Sequence, residues 1–74
     1  MENRPDEHWE QVYSTGLLYK AEMLKDILKD EGILAVVVNK QDSAYLAFGD
    51  IQVHVRRADI IQAKLVVNRF DSNE

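Results

Sequence analysis

His8 and His54 are the only imidazoles in this 74-residue chain, and it has no cysteine. Without a thiol there can be no thiolate nucleophile, zinc-ribbon site or iron–sulfur ligation. The two histidines would approach each other if their strands are neighbours, but they have no carboxylate or thiolate company, so no metal site is assigned. Asp26, Asp30 and Glu31 fall in a helical segment whose solvated side accounts for them, so they are not read as an acid/base pair. Gly16, Gly32 and Gly49 are isolated, each suited to a turn or a cap, and neither phosphate-loop pattern occurs. No catalytic residue and no cofactor is assigned, and the chain is not expected to be an enzyme. The densest polar stretch is Asn39, Lys40, Gln41, Asp42 and Ser43. It sets two amides, an ammonium, a carboxylate and a hydroxyl in succession beside Tyr45, a group able to hydrogen-bond a small polar metabolite. Those six residues are the candidate ligand site.

Charge narrows the partners. Nine basic residues against thirteen acidic ones leave a net charge of −4, which opposes the electrostatic attraction that draws proteins to nucleic acid or anionic lipid. The local basic cluster, Arg56 and Arg57 with Lys64 and Arg69 nearby, reads as solvated surface charge. An RNA-recognition sheet would need stacking aromatics on its central strand, whereas residues 51–55 expose only Gln52 and His54. Residues 1–10 are polar and acidic, unlike a secretory leader, and no segment approaches the ~20 apolar residues of a membrane span. Neither nucleic acid nor membrane is expected as a partner, and the expected location is the cytoplasm.

Hydrophobic periodicity places these groups on elements. Residues 1–7 and 71–74 are polar and read as disordered tails, leaving one domain over residues 8–70. Residues 9–14 suit a strand with Trp9, Gln11 and Tyr13 on one face and Glu10 and Val12 on the other. Leu17, Ala21, Leu24, Ile27 and Leu28 form the apolar stripe of a helix over residues 17–31, closed by Gly32. Residues 33–38 are an aliphatic run read as a second strand. Ile51, Val53 and Val55 alternate with Gln52, His54 and Arg56, the period-two mark of a strand with one buried face. Residues 45–48 fit either a hairpin strand or a packed loop. A second helix over residues 58–70 carries Ile60, Ala63, Val66, Val67 and Phe70 on its inner stripe.

The order is βαββα, and right-handed crossover sets the strand at Ile51 beside the first strand with both helices on one face. The expected fold class is α+β, a ferredoxin-like sandwich, its sheet antiparallel or mixed and without an obvious fourth strand. The first strand then becomes an open edge. The helix-free face would carry Trp9, Tyr13, Leu34, Val36, Val38 and His54, with Gln11 and Gln52 among them. So much apolar surface points to burial against a protein partner, a second copy or a ligand. Ile61 and Leu65, four residues apart on the outer side of the second helix, add a further candidate interface. A core this small also favours a homo-oligomer.

A family resemblance enters through several short stretches taken in order. They are residues 12–15 (VYST), the first helix ending in residues 28–33, residues 38–43 (VNKQDS), Phe48-Gly49, residues 53–55 (VHV) and Ala63. Over about residues 9–70 the chain resembles a prokaryotic family described as signal-transducing proteins. That family is similar to a reduced relative of the nitrogen-regulatory P-II signalling proteins and shares their ferredoxin-like core. The resemblance implies a fold and a signalling role, and it carries no reaction or ligand with it. The long nucleotide- and target-binding loop of P-II proteins has no counterpart in residues 39–50. The expected function is a small regulatory binding module, the alternative being a structural or protein-interaction subunit with no small-molecule ligand.

Overall fold

The computed structural model describes residues 8–40 and 51–72. In chain order they form β1 (Trp9–Thr15), α1 (Leu18–Asp30), β2 (Ala35–Asn39), β3 (Ile51–Arg56), a single 3-10 turn (Arg57–Asp59) and α2 (Ile60–Ser72). The sheet has the order β1-β3-β2, antiparallel throughout, with β3 at its centre. This is the expected ferredoxin-like βαββα arrangement. α1 packs on all three strands, α2 on β1 and β3.

Each helix forms because one stripe of its surface is apolar. On α1, Ala21, Leu24 and Leu28 are buried; on α2, Ala63, Val66 and Phe70. They join Ile33, Ala35, Ile51, Val53 and Val55 in one cluster, so both helices cover the same face of the sheet. Among the described residues no polar or charged side chain is buried, and no helix is long and apolar enough to cross a membrane.

The end of α1 explains where β2 begins. Gly32 has φ +83°, its N–H donates to the Lys29 carbonyl, and the Ile33 N–H donates to the Leu28 carbonyl at 2.9 Å. These are the two hydrogen bonds of a Schellman cap, and Ile33 and Leu28, both buried, supply its apolar contact. Ile33 therefore belongs to the cap rather than to the strand expected from residue 33, and the ladder starts at Ala35. Leu17 also departs from expectation. It is the extended N-cap residue, 47% exposed, with its N–H on Thr15 Oγ1 at 3.1 Å, and so lies outside the helical stripe. α2 runs two residues beyond its expected end, with the Ser72 hydroxyl donating to the Asn68 carbonyl.

The largest difference lies in β1. Gln11 sits opposite His54 and Tyr13 opposite Val53, so Val12 is one residue too many, a β-bulge. An extra residue inverts the alternation after it. Trp9 and Gln11 share the outer face with Arg56 and His54, but Tyr13 shares the inner face with Val53. Its ring meets that of Phe70 edge-on, 5.6 Å between centroids. The expectation that Tyr13 lies on the helix-free face is thus wrong. A bulge leaves no period-two trace, and Val12 and Tyr13 both pack against the core.

Candidate functional site

The helix-free face follows from the registers, rung by rung. Trp9 lies across from Arg56, then Gln11, His54 and Val36 share a rung, then Ser14, Gln52 and Val38. β3 is central, so its outward side chains form the middle of this surface, and they are polar. His54 Nε2 lies 3.0 Å from Gln52 Oε1, a hydrogen bond along the strand. The flanking strands supply the apolar groups. Val36 is 38% exposed and Trp9 37%. The Arg56 guanidinium stands 5.9 Å from the centre of the Trp9 ring, within cation–π reach. Leu34, just ahead of β2, is exposed. The result is a polar centre between two apolar margins.

β1 is an edge of the sheet as described. Its start is held by the Arg57 N–H donating to the His8 carbonyl at 2.8 Å and by an ion pair of Arg57 with Glu10 at 3.5 Å. Both side chains of that pair are largely exposed, so it contributes little. The bulge at Val12 breaks the edge part-way, and bulges of this kind hinder strand addition by a neighbour.

The ladder seats His54 opposite Gln11, while His8 lies level with Arg57. The histidines do not share a rung. No group of three or more His, Asp or Glu residues among those described could hold a metal. Of the candidate ligand turn, Asn39 ends β2 opposite Ile51 and Lys40 follows it, exposed. Gln41, Asp42, Ser43 and Tyr45 lie outside the described residues, as does the segment 45–48. The described residues therefore do not assemble that site.

On the helices, Ile61 is 79% exposed and Leu65 60%, on the outer side as expected. The reading of the sequence passed over their counterparts on α1, Tyr19 and Met23, 62% and 50% exposed. The signal was available. Both residues fall one helical turn apart, opposite the stripe of Ala21, Leu24 and Leu28.

Residues 9–71 match the family described as "Putative prokaryotic signal transducing protein". The chain belongs to that family. The match spans every element described above but for the last residue of α2, so the family's unit is the βαββα domain. No curated protein and no solved structure shows a significant match to the chain. Membership supplies a signal-transducing description and leaves the working surface to be argued from the domain itself.

Proposed function

We propose that this chain is a small cytoplasmic regulatory module that acts by binding, through the helix-free face of its sheet, and not by catalysis. The observation that carries this reading is the composition of that face. Its centre, Gln11, Gln52 and His54, offers hydrogen-bond donors and acceptors without fixed charge, and its margins, Trp9 beside Arg56 and Val36 beside Val38, offer apolar contact. Recognition surfaces combine aromatic and Arg anchors with polar groups that fix orientation. A protein partner fits this breadth best. A small polar metabolite held by Asn39, Lys40, Gln41, Asp42, Ser43 and Tyr45 at the β2 end is the second ligand the reading allows.

Native mass spectrometry of the full chain purified from cells tests the reading. The expected result is a bound protein or polar molecule that is lost in Val36→Lys while the melting temperature holds. A chain that carries neither, or one whose bound species is indifferent to Val36→Lys and to Lys40→Ala alike, would overturn it.

A further inference from the structure

Apart from Leu34, 54% exposed just ahead of β2, the most exposed apolar side chains among the described residues lie on the helix layer. Ile61, Tyr19, Leu65 and Met23 are each at least half exposed, whereas Trp9 and Val36 on the sheet are 37% and 38% exposed. The four form two pairs, each spaced by one helical turn and each opposite its helix's buried stripe. With both buried stripes facing the sheet, both pairs face away from it, side by side on one surface.

The charges around the two pairs differ in sign. At 3.6 residues per turn, the α1 stripe that holds Tyr19 and Met23 also holds Asp26 and Asp30, flanked by Glu22 on one side and by Lys20 on the other. The α2 stripe that holds Ile61 and Leu65 is bordered by Lys64 and Arg69, with the neutral Asn68 between them. Arg69 leans toward Glu31 at 3.8 Å, a pair exposed on both sides, and no ion pair among the described residues engages Glu22, Asp26 or Lys64.

We propose that the outer side of the helix layer is a self-association surface on which a second copy of this chain docks, α1 of each copy lying on α2 of the other. The charges select this pairing. α1 on α1 would set Asp26 and Glu22 against their own copies, and α2 on α2 would set Lys64 against Lys64, whereas the crossed arrangement sets the Asp26 and Glu22 side of α1 against Lys64 at both contacts. A two-fold axis parallel to the helices, lying between the facing layers, produces it, so the contact is self-complementary and closes as a dimer. Each apolar pair is then covered twice per dimer, once in each copy. Both open sheet faces stay outward, free for the partner proposed above, and the inference goes beyond that reading and stands without it.

Sedimentation equilibrium of the full chain tests the proposal. A dimer is expected at micromolar concentration, weakened by at least roughly a hundredfold in Ile61→Asp, which places a carboxylate in the apolar contact. Asp26→Lys alone and Lys64→Glu alone are each expected to weaken it by roughly tenfold, and the chain carrying both to regain most of that loss. All of these positions are exposed, so each variant should keep the far-ultraviolet circular dichroism spectrum and a cooperative melt, and loss of fold does not imitate the result. A monomer at every concentration would overturn the proposal. So would a dimer that survives Ile61→Asp and dissociates in Val36→Lys, or two charge reversals that add rather than cancel.

Discussion

β3 and β1 are neighbours in one sheet, yet only one of them can be read from its letters. In β3 every second residue, Ile51, Val53 and Val55, is fully buried, and Gln52, His54 and Arg56 face out. In β1 the same alternation holds for Trp9, Glu10 and Gln11 and then inverts at Val12. The difference comes from position. A central strand is hydrogen-bonded on both sides and has no room for an extra residue, whereas an edge strand can bulge on its free side. Alternation is therefore a reliable guide to a central strand, and at an edge it is a guide only as far as the first bulge.

The severest way to challenge the inner side of this comparison is to place a charge in the layer that β3 and β1 jointly face. Ala63 is fully buried between the helices and the sheet. Ala63→Asp leaves no room and no partner for the carboxylate, at a cost of several kcal/mol, comparable to the ~3–5 kcal/mol a core of this size supplies. Thermal unfolding followed by circular dichroism should show no cooperative transition. A normal melt would mean that α2 is rotated about its axis.

Tyr13→Ala separates the two strands' behaviour directly. With Tyr13 on the inner face against Phe70, its truncation should cost about 2 kcal/mol, less than a fully buried aromatic because the ring is only partly covered. In a domain of this size that lowers the melting temperature by roughly 10 °C. On an unbulged strand Tyr13 would face outward, and the substitution would leave the melt almost unmoved.

Deletion of Val12 sharpens the same point with a smaller effect. It removes the bulged residue, so Gln11 and Tyr13 become consecutive, opposite His54 and Val53 as they already are. The loss is expected to be about 1 kcal/mol, from the core contact of Val12. In a regular strand the same deletion would send every later residue to the wrong face and unfold the domain. Amide hydrogen exchange along β1 would show which of the two happens.

These contrasts also mark what the sequence made legible. Both helices, the strand order, the glycine cap and β3 follow from periodicity and chain-crossing rules, because each has one face buried and one in water. The start of β2 was misplaced because Ile33 is equally apolar in a Schellman cap and in a strand, and only its amide's bond to the Leu28 carbonyl tells them apart. Of the candidate surface, Trp9, Val36, Val38, His54, Ile61 and Leu65 were placed correctly. Tyr13 was lost to the bulge, and Tyr19 and Met23 are interspersed with Glu22, Asp26 and Asp30, so that side of α1 reads as solvated charge.

The smallest effect concerns the outer side of the first rung, where β1 and β3 still alternate in step. Arg56 stands over Trp9 at 5.9 Å, near the limit of useful cation–π distance, and it is exposed. At such a site the contact is worth about 0.5 kcal/mol, so Arg56→Ala should lower the melting temperature by no more than roughly 4 °C. Its spectroscopic consequence is clearer, because Trp9 is the only tryptophan in the chain. Removing the guanidinium changes the charge near the indole and uncovers part of its ring, so the emission should shift while the far-ultraviolet circular dichroism spectrum stays the same. If the emission is unchanged, Trp9 and Arg56 do not share a face. The alternation would then fail in β1 before Val12, and the bulge would not be where the two strands part.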